Sequence, residues 1–392
     1  MTEGLGRRAQ RRQQRRQRRR RLLVGVLAVA VVLLAVVTVV LIRRHDVPPR
    51  TVAAQARTQQ TLLLQVRGPD GTAVASAVLA HDPASRTGAV VLVPPQVIVT
   101  VPGAGTVPFG RVIKTSPESG ARNALSDLIG VTLDGGWLLD LTTLGHLVDL
   151  EGGVQVTVDA LVVTGSTIVL QPGRQQLDGA HATAFATYLA AGEQEQTRLA
   201  RLQAVLDGLL IALPDKVEPL LGSLGPTSVT TLPVRQLADL LTGLRRDDKT
   251  SDLQYDSLPV IKIDAGTDEI RFRIDAPAST ALVDRLLAQS VPAGARSTGN
   301  RVLVLNGVGT PGIGEKVRSR LVPAGLVFVG SRNAEHFGYA TSQVLIRDAT
   351  PESQALGAKV ATALGLPQDD VRTADLGALS DVVVLVGADF AP

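Results

Sequence analysis

Among the chemically suggestive spacings in this 392-residue chain is Gly307-Val-Gly309-Thr-Pro-Gly312, which follows a strand-like run and precedes a helix-like one. Glycines at that spacing let backbone N–H groups approach the phosphates of a dinucleotide. Holding the ribose then needs a carboxylate about 20 residues further on. The chain offers Gly330-Ser331-Arg332 there, with no acid, and Pro311 removes a donor from the loop itself. The glycines therefore read as shaping a tight strand-to-helix turn. The five histidines (His45, His81, His146, His181 and His336) form neither an i,i+4 pair nor an HExxH motif, which argues against a histidine metal site. No GxSxG elbow is present, and with no cysteine there is no thiolate zinc site or thiol nucleophile.

The elements that would position any site alternate between strands and helices. Strand-like runs cover 61–66, 73–81, 89–93 and 97–101, broken by Gly68-Pro-Asp-Gly71, Asp82-Pro83 and Pro102-Gly103. A helix over 123–129, a strand over 137–141, a helix over 143–150 and strands over 153–158 and 167–170 follow. The clearest helix is 194–213, where Leu199, Leu202, Leu206, Leu209, Leu210 and Leu213 keep a 3–4 spacing and Pro214 ends the run. A helix over 234–244, strands over 259–264 and 269–274, and a closing helix over 278–289 complete this part. After a linker at 291–300, the order strand 301–305, helix 313–324, strands 326–329 and 343–346, helix 352–364 and strand 382–386 makes a βαββαβ unit large enough to fold alone. The class is α/β, with one extended sheet in the larger domain.

Composition narrows the function. The chain is 45% hydrophobic and 19% charged, so it is globular, and only 3% aromatic, too few for stacking of single-stranded bases to be its main activity. Its net charge of +4 is unevenly placed: ten arginines fall within residues 1–21, and Arg43 and Arg44 follow. Residues 45–392 carry 28 basic and 35 acidic side chains, a net −7, which gives no global basic field for nucleic acid.

Between the two arginine groups, residues 22–42 contain no charge and only Thr38 as a polar residue. As a helix they would reach about 32 Å, enough to cross a bilayer. This run is longer than the hydrophobic region of a cleaved signal peptide, and the Ala54-Gln55-Ala56 triplet lies far beyond it. An uncleaved single-pass anchor is expected, with the arginine-rich tail 1–21 in the cytoplasm and the bulk of the chain outside the cell. The tail then serves orientation and attraction to anionic lipid rather than nucleic-acid binding. Residues 43–59, with Pro48-Pro49, read as a stalk.

Several segments resemble the LytR-CpsA-Psr family. They are Leu147–Val154 (LVDLEGGV) with 156–159, Leu170–Ala182 (LQPGRQQLDGAHA), the helix carrying Glu195, Arg198, Arg201 and Gln203, and Asp140 in a central strand. The resemblance spans about residues 60–290. Residues 301–390 are similar to the LytR C-terminal domain, whose strand–Asn-Gly opening appears as Val304-Leu-Asn-Gly-Val-Gly309. This order of anchor, core and C-terminal domain, with 34 arginines against six lysines, resembles actinobacterial members.

The resemblance implies transfer of a glycopolymer from a polyprenyl-pyrophosphate carrier to peptidoglycan, with arginines on the pyrophosphate and carboxylates holding Mg²⁺. The chain departs from that pattern in the chemistry. The family's Ile-Pro-Arg-Asp is Val93-Pro94-Pro95-Gln96, and its Arg-x-Arg is Thr187-Tyr188-Leu189. The early Gly-x-Asp and Arg-Ser-Asp signals, expected at Leu64–Val66 and Thr72–Ala75, are missing. Arg198 and Arg201, with Asp140, remain as candidate phosphate or lipid-carrier ligands. The alternative is that the two arginines are exposed charges beside the Leu199/Leu202 core face. The expectation is a non-catalytic, membrane-anchored cell-envelope protein with no cofactor, binding cell-wall glycopolymer, polyprenyl phosphate or wall-assembly proteins, and no nucleic acid. An active phosphotransferase using Mg²⁺, and a structural adaptor acting through its C-terminal domain, are the alternatives.

Overall fold

The first strand, β1 (Gln60–Arg67), is buried along almost its whole length, which its unbroken Thr-Leu-Leu-Leu-Gln-Val run requires. It lies inside a six-stranded sheet, flanked by antiparallel β2 (Ala73–Asp82) and parallel β4 (Gly135–Asp140). β3 (Thr87–Leu92) continues the sheet beside β2, and a two-residue strand at 229–230 closes the edge beyond β4. The computed structural model describes residues 58–101, 105–115, 119–264, 269–296 and 299–390. The arginine tail, the apolar run 22–42 and residues 43–57 of the expected stalk lie outside the described residues. Among the described residues, no helix is long and apolar enough to cross a membrane.

Period-2 alternation sends successive β1 side chains to opposite layers. Leu62, Leu64 and Val66 join Ala77, Leu79, Val90 and Leu139 in a core on one face of the sheet. Leu63 joins Val78, Ala80, Val91 and Leu138 in a separate core on the other. The first core is roofed by α2 (Leu141–Leu150), α3 (Gly179–Thr187), α4 (Glu195–Ala212) and α5 (Val234–Lys249). The second is covered by α1 (Gly120–Ile129) and α6 (Ala276–Leu286). The extended-sheet α/β expectation therefore holds, as a sheet between two helical layers.

Three differences from the sequence reading have local causes. The sheet gains an edge strand, β7 (Leu253–Ser257), parallel to β3. Its LQYDS sequence carries no apolar run because an edge strand leaves much of its length in contact with solvent. Strand β6 (Gly173–Leu177) pairs with β5 (Val154–Val158) in a two-stranded ribbon through the LQPGRQQL segment. Helix α5 runs five residues past the predicted Leu244, through Arg-Arg-Asp-Asp-Lys. There the buried Asp247 bonds His81 Nδ1 at 2.6 Å, a tertiary contact invisible to periodicity.

The C-terminal part forms its own five-stranded sheet: β8 (Arg301–Asn306), β9 (Val327–Asn333), β10 (Gln343–Ile346), β11 (Val371–Thr373) and β12 (Val382–Val386), in the order β9-β8-β12-β10-β11. Helices α7 (Ile313–Leu321) and α8 (Pro351–Leu364) pack on it. The predicted βαββαβ order thus gains one short edge strand, β11, before its last member. Residues 57–392 make one compact unit, and all four hydrophobic cores lie within it, so it contains what it needs to fold by itself. Its two larger sheets belong to lobes that meet through an Arg332–Asp127 ion pair and a Thr100 Oγ1 bond to Asp375 at 2.9 Å.

Candidate functional site

Helix α4 begins after Gln194 and ends before Pro214, and its leucines seat it against α3, β5 and α5. Because neighbours surround it, residues off the leucine stripe are enclosed as well. Arg198 and Arg201 are 6% and 2% exposed. The expectation of exposed charges beside a core face is therefore corrected: both guanidinium groups are interior.

Burying a guanidinium requires that its donors be answered. Arg201 answers all five. Nε and Nη2 donate to Asp159 at 2.9 and 2.7 Å, and Nη1 and Nη2 to Glu193 at 2.8 Å each. The remaining Nη1–H goes to the carbonyl of Tyr188 at 3.0 Å. The Tyr188 ring lies under the same guanidinium, 5.1 Å from its centroid, adding a cation–π contact. The hydrogen bonds from Arg201 hold the Asp159 and Glu193 carboxyls below their ordinary values, and the same bonds raise the guanidinium.

Arg198 is held one turn away. It donates through Nε to Glu195 at 3.2 Å, through Nη2 to the same carboxylate, and through Nη1 to the Val74 carbonyl. Gln96, which stands where the family resemblance expects an acid, reaches Glu195 with its Nε2 at 3.4 Å, while its buried Oε1 has no partner among the described residues. The five charged groups Arg198, Arg201, Asp159, Glu193 and Glu195 sum to −1. An incoming pyrophosphate would meet a net negative cluster in which Arg201 has no free donor. The donor set does not suit magnesium either, because each of the three carboxylates is already bonded to a guanidinium.

Asp140, the third predicted ligand, closes β4 and caps α2. Its Oδ1 accepts from the Thr143 N–H at 2.7 Å, satisfying one of the helix's open donors. Among the described residues no hydrogen bond or ion pair joins it to Arg198 or Arg201. Asp140→Ala is accordingly expected to lower stability by about 1 kcal/mol, the usual cost of losing an N-cap. A urea titration of residues 57–392 checks this, and an unchanged midpoint would contradict the capping role.

The sequence did not reveal Asp159 and Glu193 as the partners of Arg201. Asp159 ends the quoted 156–159 segment and Glu193 lies in the Gly-Glu-Gln-Glu entry to α4, so both were visible as acids. Nothing local joined Asp159 to a residue 42 positions away.

The glycine loop after β8 takes the structural role. Buried Asn306 accepts from Val308 N at 3.2 Å and Gly309 N at 2.9 Å, and donates to the Thr310 carbonyl at 3.0 Å. The N–H groups of Val308 and Gly309 are thus turned onto the loop's own side chain instead of towards a phosphate. Gly309 and Gly312 occupy left-handed backbone, at φ +76° and +77°.

Comparison with known proteins agrees with this architecture. The LytR_cpsA_psr family matches residues 75–271, and the LytR cell envelope-related transcriptional attenuator family matches residues 300–390. No curated protein sequence matches the chain. The solved structure of Bacillus subtilis TagV is similar at a TM-score of 0.51 and 14% identity, covering 60% of this chain and 98% of that one. Protein gbs0355 from Streptococcus agalactiae reaches a TM-score of 0.52 at 13% identity, over 61% of this chain and 90% of its own. TagT bound to LI-WTA reaches 0.50 at 15% identity, over 60% and 91%. These likenesses, at such low identity, establish a shared fold. With half of its length matched by one family and its C-terminal lobe by a companion domain, the chain belongs to the LytR-CpsA-Psr family.

Proposed function

We propose that this protein is a membrane-anchored, extracytoplasmic member of the cell-wall assembly machinery that binds wall glycopolymer or its lipid carrier without transferring it. The observation that carries the non-catalytic part is the neutralisation of Arg198 and Arg201. A phosphotransferase must offer free guanidinium donors to the developing pyrophosphate, whereas here all five Arg201 donors are engaged and the cluster carries net −1. Its two cations stabilise the protein's own interior. The cell-wall part is supported by family membership and by TagT, a protein of the same fold solved with LI-WTA bound. The anchor and its orientation rest on the apolar run 22–42 and the ten arginines before it.

Purified residues 57–392, mixed with Mg²⁺ and a polyprenyl-pyrophosphate-linked glycopolymer, are expected to release no carrier. They are expected to retain either the wall polymer or polyprenyl phosphate in a pull-down. Turnover would remove the non-catalytic reading. Failure to retain either ligand would remove the binding role.

A further inference from the structure

The two lobes enclose a cleft of about 490 Å³, a volume suited to a small organic ligand and separate from the Arg198/Arg201 cluster. Much of its wall is aliphatic. Ile98, Val101, Leu128 and Ile274 face it from the N-terminal lobe, and Leu345, Leu376 and Val383 from the C-terminal lobe. Five charged residues also line it, and their engagements differ.

Asp127 and Arg332 are paired with each other across the lobes, and Asp375 accepts the hydroxyl of Thr100. Arg347 is fastened to the carbonyls of Leu376, Gly377 and Ser380 at 2.7, 2.9 and 3.0 Å, bonds that position it without cancelling its charge. Arg273 is exposed on the 271–274 strand, and its guanidinium has no hydrogen bond or ion pair among the described residues. The cleft therefore combines aliphatic walls with one preorganised cation, Arg347, and one, Arg273, that has no partner among the described residues. Asp375 keeps its charge beside the Thr100 hydroxyl, so the five groups sum to +1, although residues 45–392 as a whole are net negative. Neither lobe makes the site alone, because Arg273 comes from one and Arg347 from the other.

We propose that this interlobe cleft binds a single-chain anionic amphiphile, with its phosphate or carboxylate head between Arg273 and Arg347 and its aliphatic chain along the leucine, isoleucine and valine walls. An uncharged alcohol of the same length would leave the cations unanswered, and inorganic phosphate would leave the walls unfilled.

Calorimetric titration of residues 57–392 with octyl phosphate, decanoate, hexyl phosphate, octanol and inorganic phosphate tests each part. Binding of octyl phosphate or decanoate is expected, with octanol and inorganic phosphate each at least about tenfold weaker. Hexyl phosphate should bind roughly fifteenfold more weakly than octyl phosphate, since it lacks two methylenes and each, when buried, is worth about fourfold. Arg273→Glu and Thr280→Trp, two exposed cleft positions whose substitution leaves the cores intact, should each weaken octyl phosphate binding about tenfold without moving the melting temperature. No binding by either amphiphile at millimolar concentration would overturn the proposal. So would octanol or inorganic phosphate matching octyl phosphate, or affinity that neither substitution changes.

Discussion

Replacing Arg201 with alanine is expected to destabilise the 57–392 unit by about 1.5–3 kcal/mol: the guanidinium is buried, but Asp159 and Glu193 are 44% and 24% exposed, so the carboxylates left behind regain water. The size follows from what is left behind. Asp159 and Glu193 lose the guanidinium that each meets with two hydrogen bonds, the Tyr188 carbonyl loses its donor, and the ring beneath loses its cation. A lysine at the same position keeps the charge but not the planar fork, so Arg201→Lys should recover only part of the loss. If the role were instead to receive substrate, alanine would relieve a buried charge and leave the urea midpoint unchanged or raised.

The same substitution should alter the pH dependence of stability. The Arg201 bonds hold Asp159 and Glu193 below their ordinary values of 3.8 and 4.5. Groups depressed in this way contribute stability that is fully present above their unfolded values. It is lost as pH falls through the folded ones, because the unfolded chain takes up the protons first. The gap between the parent protein and Arg201→Ala should therefore be widest near neutrality and narrow below about pH 4.5, over the range where these carboxylates titrate. A gap that stays constant from pH 7 to pH 3 would show that the pairing contributes nothing to the difference.

The contrast between α4 and its surroundings shows what a linear sequence carries. The Leu199-to-Leu213 spacing placed that helix within a residue at either end, because one well-defined apolar period suffices. The same periodicity put Arg198 and Arg201 at the margin of the apolar stripe, and nothing local revealed that α3 and β5 close over that margin. Asp159 and Glu193 make the cluster neutral to acidic, yet the register that brings Asp159 to Arg201 depends on how the strand ending at Val158 lies against α4. The family resemblance identified positions where a pyrophosphate ligand was missing. It could not reveal that the arginines remaining were already paired. Strand β7 was unreadable for a related reason: the partner that makes it a strand, β3, lies more than 150 residues earlier. The interlobe cleft draws Arg273 and Arg347 from residues 74 positions apart, so no motif announces it.

The Leu177-Asp178-Gly179 signature, in contrast, had a local meaning and a distant one, and Gly179→Ala separates them. Locally, Asp178 caps α3 by accepting from His181 N at 2.9 Å, and alanine at the following position would favour the helix by up to about 1 kcal/mol. Gly179 is not in left-handed backbone, so no conformational penalty offsets that gain. The distant constraint is the crossing of α3 over α2. A Cβ on Gly179 would sit 2.0 Å from the carbonyl oxygen of Gly145, and this neighbour is helix backbone that cannot rotate aside as a side chain could. The reverse change is milder, since a Cβ on Gly145 would meet the Gly179 carbonyl at 3.1 Å. Packing should win: Gly179→Ala is expected to lose about 3 kcal/mol, at the upper end of overpacking costs, and Gly145→Ala clearly less. Helix propensity alone predicts the opposite sign, so a urea midpoint at or above that of the parent would sink the packing account. The helix pushed aside is also the one leading to Tyr188, whose carbonyl and ring hold Arg201. Gly179→Ala and Arg201→Ala should consequently be non-additive in a double-mutant cycle, with the pair losing less than the two single changes together.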